Sequence, residues 1–274
     1  MCKLLKVTRS DYYYQIKNPT NSYKKSNEEL DIEIKKIFNE SKGRYGSPKI
    51  TKVLNNQEFN VSQKRVARRM KSLGLRSVTV KKFNHSGSSK VDDKKEYPNL
   101  LEQKFFAEKP SEKWIGDITY IYIKETGWTY LAIVMDLFDL KVVGWSYGMN
   151  MDTDLVIDAF KKASMNRSLN KNGIFHSDRG SQYTSNKYEE LLNIMEIRHS
   201  YSKKGYPYDN ASMESFNAIL KKEEVNVNTY NTFEEAKLVI FEFIESWYNN
   251  RRIHSTLGYI TPNEKYNNYI MSLA

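Results

Sequence analysis

The segments WIGDITYIYI (114–123), YLAIVMDLF (130–138) and KVVGWSYG (141–148) decide the fold of this chain. Each is rich in β-branched and aromatic residues, and short turns separate one from the next. This pattern is typical of consecutive antiparallel strands, so we predict three of them here. GIFHSD (173–178) predicts a fourth, short strand, and a helical pattern from Thr153 stands between it and the first three.

The rest of this half of the chain predicts helices. Residues 185–195 and 209–224 are helical by pattern, and a capping box at Thr232 predicts the start of the last long helix. Three strands and a helix, followed by strand, helix and strand elements, are the order of a ribonuclease-H-like fold. We therefore predict an α/β domain over residues 111–274, a ribonuclease-H-like mixed sheet with flanking helices.

A different pattern occupies the first part of the chain. A capping box at Ser26 and a proline after Ser47 predict two helices, and a third is predicted from Ser62. The outer face of the third helix carries five cations, Lys64, Arg65, Arg68, Arg69 and Lys71. Two short helices around a turn, the second of them basic, predict a helix-turn-helix that contacts DNA. The alternative is a small helical bundle with a solvated basic face.

Charge also divides the chain. The formal net charge is +10; residues 1–110 hold 25 Lys and Arg against 12 Asp and Glu, and residues 111–274 hold 18 against 21. A basic first part suggests a module that grips a polyanion, although Lys-rich surfaces also serve solubility alone. A Ser/Gly/Lys-rich stretch after Ser77 predicts a linker. We expect a basic helix-turn-helix-like region over residues 1–76 and a linker over 77–110.

The composition excludes several classes of protein. The single cysteine, Cys2, rules out a disulfide framework and a CxxC zinc or redox site. No apolar run is long enough to span a bilayer, and the N-terminus lacks a signal-peptide core. We expect a soluble protein of the cytoplasm without a membrane partner.

Three carboxylates are candidates for catalysis. Asp117 lies in the middle of an apolar strand, where an unpaired charge is expensive to bury. Asp178 ends the fourth strand, and Glu214 lies in the first turns of a helix. Such elements can bring three carboxylates to one point, where like charges raise one another's pKa. Bound Mg²⁺ would relieve the repulsion, and two ions about 4 Å apart could hold the attacking and leaving oxygens of a phosphodiester.

Asp136 and His176 are weaker candidates. Asp136 could approach the same site, but an edge or turn position is the favoured interpretation. His176 precedes Asp178 by two residues, so it lies on the same face of a regular strand and could support a metal ligand. A packed histidine is the favoured alternative for His176.

Four motifs carry a resemblance to a known family. They are DITYI (117–121), HSDRGSQYTS (176–185), SYSKKGYPYDNASMESFNAILKKE (200–223) and YNNRRIHSTLGYITP (248–262). The chain resembles transposases with a retroviral-integrase catalytic core, and more narrowly the second-reading-frame (OrfB) products of insertion-sequence family 3. The resemblance spans nearly the whole chain, including the RYGSPKI segment of the basic region.

This resemblance implies an activity and its requirements. It implies an Asp-Asp-Glu (DDE) triad at Asp117, Asp178 and Glu214 with two Mg²⁺ ions, for which Mn²⁺ substitutes. The enzyme would be a polynucleotidyl transferase, in which water cuts one strand at each element end and the exposed 3′-OH attacks another phosphodiester. The implied partners are double-stranded DNA (terminal inverted repeats and target), further copies of the chain on that DNA, and an upstream-frame product, separate or fused.

Further DNA contacts are expected near the triad and at the C-terminus. Lys221 lies seven residues after Glu214, so both side chains project from one face of a helix. The resembling integrases place a lysine that contacts the DNA end at the matching position. Arg251 and Arg252 belong to the last motif, where a phosphate-binding or a structural role fits.

Two other functions compete with transposition. A catalytically silent DNA-binding regulator derived from a transposase would have no need to hold three carboxylates together. A stand-alone ribonuclease-H-like nuclease is disfavoured by the basic first region and by the last motif. An incubation with terminal-repeat DNA and Mg²⁺ separates these alternatives.

Overall fold

The computed structural model divides the chain into two compact units, residues 1–80 and residues 81–274. The structure describes Cys2 and residues 7–17, 22–79, 97–203 and 207–273. The first unit is helical and the second contains the sheet, in agreement with the fold class predicted from the sequence.

The N-terminal unit contains the helices α1 (Arg9–Lys17), α2 (Ser22–Glu40), α3 (Ser47–Asn56) and α4 (Gln63–Ser72). The helices α2, α3 and α4 contact one another. Their inward side chains form a buried apolar core of Leu30, Ile34, Ile37, Ile50, Leu54, Val66 and Met70. The predicted helical region ahead of the α/β domain is confirmed.

The ends of these helices agree with the sequence in part. Ser62 caps α4 as predicted, because its hydroxyl accepts a hydrogen bond from the N–H of Arg65 (3.4 Å). In contrast, α2 begins at Ser22, so the predicted cap Ser26 lies inside the helix. Residues 22–25 contain no proline or glycine, and the helix therefore extends one turn beyond the capping box.

The second unit is built on a five-stranded sheet of β1 (Lys113–Ile123), β2 (Gly127–Asp136), β3 (Val142–Gly148), β4 (Ile174–Ser177) and β5 (Arg198–Tyr201). The strand order is β3-β2-β1-β4-β5. The first three strands pair antiparallel as predicted, whereas β4 pairs parallel with residues 113–115 of β1, and β5 pairs parallel with β4. This mixed sheet is the predicted ribonuclease-H-like arrangement, and it places the end of β4 beside the middle of β1.

Helices flank the sheet. They are α5 (Thr153–Asn166), α6 (Asn186–Ile194), α7 (Ala211–Leu220), α8 (Phe233–Phe241) and α9 (Pro262–Leu273). A 3₁₀ turn, Pro207–Asn210, precedes α7, and π-helical turns at Lys221–Val225 and Glu242–Tyr248 follow α7 and α8. The predicted cap at Thr232 is confirmed, because its hydroxyl accepts a hydrogen bond from the N–H of Glu235 (3.2 Å). In the described ranges, no helix is long and apolar enough to cross a bilayer.

One face of the sheet packs against α5 and α6. The phenyl ring of Phe160 contacts Trp114 and Phe175 edge to face, at centroid distances of 5.9 and 5.3 Å. Gly144 on β3 lets α5 approach closely, since an added Cβ would lie 2.3 Å from the backbone nitrogen of Ala163. The absence of a side chain at Gly144 therefore allows α5 to pack closely against the antiparallel part of the sheet.

The opposite face packs against α7, α8 and the segment that follows α8. Tyr147 stacks on Phe233 at a centroid distance of 4.8 Å. The side-chain amide of Asn249 accepts a hydrogen bond from the N–H of Val142 and donates one to its carbonyl, both at 3.0 Å. This pair of bonds ties the C-terminal motif to β3, at the edge of the sheet.

Residues 97–110 lie against the α/β unit, although we expected them in the linker. The N–H of Tyr201 donates to the carbonyl of Pro98 (2.8 Å), and Leu101 and Ala107 are buried. Buried apolar residues are too widely spaced here to produce a periodic pattern, so the sequence did not indicate this packing. The division between the units falls after residue 80, and residues 80–96 of the predicted linker lie outside the described residues.

Candidate active site

Asp117 lies in the middle of β1, on the sheet face that packs against α7. Ile133 is its partner on β2, so an apolar side chain neighbours the carboxylate. Asp117 Oδ2 accepts a hydrogen bond from Asn217 Nδ2 on α7 (2.8 Å). This contact holds the carboxylate of β1 against the helix that carries Glu214.

Asp178 follows the last residue of β4. Because β4 runs parallel to β1, its end brings Asp178 alongside Asp117. Asp178 Oδ1 accepts a hydrogen bond from the backbone N–H of Gly180 (2.9 Å). An added Cβ at Gly180 would lie 3.0 Å from that oxygen, so the absence of a side chain lets this turn fold back onto the carboxylate.

Glu214 lies in the first turn of α7. Asn217 is one turn later, so the two side chains project from the same face of the helix, which is the face that contacts Asp117. Met213, Phe216 and Leu220 on the neighbouring side are buried and anchor the helix to the unit. The glutamate is therefore directed toward the two aspartates.

The surroundings of Asp117 oppose its ionisation. Burial raises the pKa of Asp117 to about 7, and the negative charges of Asp178 and, less strongly, Glu214 add to that rise. Hydrogen bonds from the N–H of Ile118 and from Asn217 act in the opposite direction. Desolvation also raises the pKa of Asp178, against the hydrogen bond from Gly180. A cation bound at this point would stabilise all three ionised groups.

The chemistry of these groups fits a hard divalent cation. Carboxylate oxygens are the ligands that Mg²⁺ prefers, and the side-chain oxygen of Asn217 is buried without a hydrogen-bond partner in the described part of the chain. In those same ranges, no three His, Cys, Asp or Glu side chains are close enough together to hold one ion. Asp117 and Asp178 are the adjacent pair, and Glu214 would have to move closer to share a ligand shell with them.

Asp136 has a structural role. It is fully buried at the end of β2. Its carboxylate accepts hydrogen bonds from the N–H of Ser111 (2.8 Å), the indole of Trp114 (3.2 Å) and the guanidinium of Arg167 (2.9 Å). These donors occupy the carboxylate, so the favoured interpretation of Asp136 as a non-catalytic residue agrees with the structure.

His176 is a packed histidine of β4. Its Nδ1 lies 2.9 Å from Ser200 Oγ and its Nε2 lies 2.8 Å from the backbone carbonyl oxygen of Asp209. Burial lowers the pKa of His176 to about 4, so the ring is neutral at neutral pH. The contacts do not join His176 to Asp178 directly but connect β4 to the start of α7.

The five predicted cations of α4 separate into two groups. Lys64, Arg68 and Lys71 are exposed and lie on one face of the helix. Arg65 instead donates to Ser26 Oγ and Asn27 Oδ1 of α2, both at 3.0 Å, and Arg69 forms a two-pronged ion pair with Asp31 of α2. Arg65 and Arg69 were predicted DNA contacts, but these bonds commit their guanidinium groups to holding α4 against α2.

The C-terminal motif and the end of α7 are joined by a buried ion pair. Arg252 is 7% exposed, and its Nε and Nη2 donate to Glu223 (3.0 and 2.8 Å), which also accepts from the indole of Trp247 (3.0 Å). Direct contact of Arg252 with DNA, as predicted, is incompatible with this burial. Arg251 is exposed, and half-buried Lys221 lies seven residues after Glu214, where α7 passes into the π-helical turn.

Family models match three successive parts of the chain. The model of an HTH-like domain matches residues 25–83, and two models that are both described as an integrase core domain match residues 107–207 and 195–262. The first match falls in the helical unit, and the other two cover the sheet, the three carboxylates and the C-terminal motif.

The relatives are bacterial transposases. The transposase for insertion sequence element IS904 of Lactococcus lactis subsp. lactis (strain IL1403) is 43% identical over 244 residues, which cover 87% of this chain and 94% of the relative. Transposase InsF for insertion sequence IS3A of Escherichia coli (strain K12) is 37% identical over 266 residues, which cover 96% and 92%. The chain belongs to the IS3 family of insertion-sequence transposases. It is thus a DDE-type polynucleotidyl transferase that acts in DNA transposition, and its HTH-like and integrase core domains are DNA-binding domains.

Two solved structures resemble the transposase at low identity. The HTLV-2 integrase catalytic core domain in complex with magnesium (trimeric form) is 16% identical with a TM-score of 0.43, covering 57% of this chain and 97% of that one. The simian T-cell lymphotropic virus intasome in complex with the PP2A regulatory subunit B56 gamma is 16% identical with a TM-score of 0.48, covering 84% and 73%.

Three residues beside the carboxylates of the transposase were not among the predicted site residues. Asn217 could have been found from its position one turn after Glu214. Gly180 contacts Asp178 through its backbone N–H. Its position in a turn sequence two residues after Asp178 indicates such a contact less clearly than the spacing of Asn217 does. Asp209 accepts hydrogen bonds from residues about 110 positions away, such as Asn99 (2.9 Å), and no local pattern indicates such contacts.

Proposed function

We propose that Asp117, Asp178 and Glu214 are the catalytic residues of this transposase, and that it cuts one strand at each element end and joins the exposed 3′-OH to another phosphodiester. The observation that carries the proposal is the pKa of Asp117, raised to about 7 by burial and by the charges of the other two carboxylates. A bound cation would favour the ionised form of Asp117, and phosphodiester transfer is a reaction that such cations serve.

Two Mg²⁺ ions, with Mn²⁺ as a substitute, are the proposed cofactors. When bound, they would supply Lewis-acid stabilisation of the attacking and leaving oxygens. Asp117 and Asp178 would hold them, and Glu214 would complete the set of ligands. Asn217 and the N–H of Gly180 each hold one oxygen of an aspartate at 2.8 and 2.9 Å, which orients the carboxylates without neutralising them.

Both units contact DNA in this proposal. The exposed stripe of Lys64, Arg68 and Lys71 on α4 suits the phosphate backbone beside a groove. Lys221 and Arg251 are the proposed contacts of the catalytic unit, Lys221 because it shares a helix face with Glu214. We leave out Arg65, Arg69 and Arg252, since their guanidinium groups are bound inside the protein.

The proposed partners are the terminal inverted repeats, the target DNA, further copies of the chain assembled on DNA, and an upstream-frame product. The proposed location is the cytoplasm, at the nucleoid. A catalytically silent regulator is the alternative, but no contact among the described residues blocks the three carboxylates, so we favour the enzyme.

The test is an incubation of the full chain with DNA that carries the terminal inverted repeats of its element, a supercoiled target plasmid and Mg²⁺. Nicks at the ends and joined strands are both counted. Asp178→Asn and Glu214→Gln should reduce both products by at least about 100-fold, because each removes a proposed ligand, while binding of the ends persists. Glu190→Gln, on an exposed residue of α6, is the matched control and should keep both products.

The outcomes separate the two candidate functions. Ordinary strand joining by Asp178→Asn or Glu214→Gln would remove that residue from the site. If the unaltered chain binds the ends but produces no nicks or joints with Mg²⁺ or Mn²⁺, the regulator becomes the better interpretation.

A further inference from the structure

A buried carboxylate outside the triad lies at the start of the helix that carries Glu214. Asp209 is 2% exposed, precedes α7 and stands five residues before Glu214. A buried carboxylate is expensive unless hydrogen bonds satisfy it. The hydrogen-bond donors around the Asp209 carboxylate therefore indicate its role.

Three amide donors satisfy this carboxylate. Asn99 Nδ2 and the backbone N–H of Lys203 donate to Asp209 Oδ2, both at 2.9 Å, and Gln103 Nε2 donates to Oδ1 at 2.8 Å. Lys203 follows β5, whereas Asn99 and Gln103 belong to the segment that leads into the catalytic unit. Asp209 thus joins two separate parts of the chain to the start of α7.

The conformation of the segment that contains Asn99 and Gln103 directs both side chains toward Asp209. Asn99 Oδ1 accepts a hydrogen bond from the N–H of Glu102 (3.0 Å), which orients the amide so that its Nδ2 points at Asp209. Glu102 and Gln103 both have positive φ angles, 47° and 62°, which are uncommon for residues other than glycine. Two left-handed residues in succession persist where contacts of the surrounding structure hold them.

The backbone of Asp209 is connected to the strand that carries Asp178. The side-chain oxygen of Ser200 accepts hydrogen bonds from the N–H groups of Leu100 (2.9 Å) and Leu101 (3.1 Å), so its own hydrogen is available to His176 Nδ1 (2.9 Å). The other ring nitrogen, Nε2, then carries a hydrogen and donates to the carbonyl of Asp209 (2.8 Å). His176 lies on β4, two residues before Asp178.

We infer that Asp209 is a positioning residue of the transposase, which sets α7 and its Glu214 against the β4 strand that ends at Asp178. This inference rests on the proposed function. A helix that carries a metal-binding side chain must itself be fixed by the residues behind it, because the side chain reaches its ligand position from that helix. Asp209 is bonded through its side chain to the segment around Asn99 and through its backbone to His176. It therefore fixes the position of α7, which carries Glu214, relative to β4, which leads to Asp178.

The carboxylate chemistry at this position is specific. Two oxygens with about four lone pairs accept three hydrogen bonds, whereas an asparagine offers one oxygen and turns an NH₂ group toward donors. Asp209→Asn keeps the shape of the side chain and breaks at least one of the three bonds. The expected consequence is a displaced Glu214 and weaker metal binding, with Asp117 and Asp178 in place.

The experiment measures the Mg²⁺ concentration at half-maximal strand cleavage for the full chain on terminal-repeat DNA. Asp209→Asn should raise that concentration by about 10- to 100-fold, the usual effect of removing a residue that supports metal ligands, and high Mg²⁺ should restore much of the rate. Asn99→Ala, which removes one donor, should give a smaller shift in the same direction. Asn166→Ala removes an amide that donates to the carbonyl of Val143 (3.0 Å) and is the matched control, with no shift expected.

Thermal unfolding of each variant over a series of Mg²⁺ concentrations separates positioning from folding without relying on activity. Asp209→Asn should need more Mg²⁺ than the unaltered chain for the same rise in unfolding temperature, because it binds the ion more weakly. If Asp209→Asn is unfolded, Asn99→Ala and Gln103→Ala decide the question alone. Activity that falls only with the folded fraction, at an unchanged Mg²⁺ requirement, would overturn the inference. Failure of the proposed function has a different signature: either the unaltered chain makes no nicks with Mg²⁺ or Mn²⁺, or Asp178→Asn cleaves DNA as the unaltered chain does.

Discussion

Asp117→Asn should stabilise the transposase in the absence of metal while abolishing its response to Mg²⁺. The pKa of Asp117 stands at about 7 in the folded chain, compared with an ordinary value of 3.8, because of burial and the charges of Asp178 and Glu214. The folded state therefore binds a proton more tightly than the unfolded state does. Its stability falls as the pH rises between these two values, and above them the ionised carboxylate carries its full cost.

The size of the effect follows from the shift. Each pKa unit corresponds to about 1.36 kcal/mol, so about three units make the carboxyl group destabilising by roughly 4 kcal/mol at pH 8, where it is ionised in the folded chain. At pH 5 the folded chain must take up a proton at this group, and the cost is roughly 2 kcal/mol. These are upper values, since the site is open to solvent and Asp117 is half-buried. Asparagine keeps an acceptor for Asn217 Nδ2.

Urea denaturation at pH 5 and pH 8 in EDTA measures the change. The free energy of unfolding of Asp117→Asn should exceed that of the unaltered chain, with the larger difference at pH 8. Saturating Mg²⁺ should narrow the difference at pH 8, because a ligand at 100 times its Kd adds about 2.7 kcal/mol to the protein that binds it. The variant, which lacks a proposed ligand, should gain little.

An opposite-sign control is available on α5. Partial burial raises the pKa of Asp158, but hydrogen bonds from Lys162 and Ser146 lower the pKa by more than that, so the net shift is downward. Asp158→Asn should therefore destabilise the chain at pH 8 and have less effect at low pH. If Asp117→Asn behaved like Asp158→Asn, or if its effect did not change between pH 5 and pH 8, the reasoning about a like-charged cluster would be refuted.

Two further predictions concern cations. Replacing Lys64, Arg68 and Lys71 by alanine should weaken duplex binding and reduce the slope of log affinity against log salt by about 0.9 per lost phosphate contact. Arg69→Ala, which breaks the pair with Asp31, should instead lower the unfolding temperature and leave that slope unchanged. A fluorescence anisotropy titration over a salt series measures affinity and slope, and equal slopes for the triple variant and Arg69→Ala would contradict the assignment. Arg252→Ala leaves Glu223 buried without its cation and should cost about 3–5 kcal/mol in urea denaturation. Arg76→Ala, at an exposed position, should cost about 0.5 kcal/mol or less, and similar small values for both would argue against the buried pair.

The sequence alone indicated most of the strands and helices and the carboxylates that we propose as catalytic. Strand and helix periodicities are local, and so are the caps at Ser62 and Thr232, because each depends on residues within one or two turns of one another. The motifs around Asp117, Asp178 and Glu214 pointed to a transposase for a related reason: residues close in the chain carry the resemblance. The predicted extent of α2 failed at Ser26, where a cap pattern occurs inside a longer helix.

The tertiary structure decided which polar residues face solvent and which form contacts inside each unit. A helical pattern places Arg65 and Arg69 beside the buried stripe of α4, but their partners on α2 lie 38 or 39 positions away. Glu223 meets Arg252 across 29 residues, and Asp209 meets Gln103 and Asn99 across 106 and 110. Local propensity contains no information on such pairs, because each depends on how whole elements pack. The support behind Glu214 is therefore a property of the fold, whereas the identity of Glu214 can be taken from the sequence.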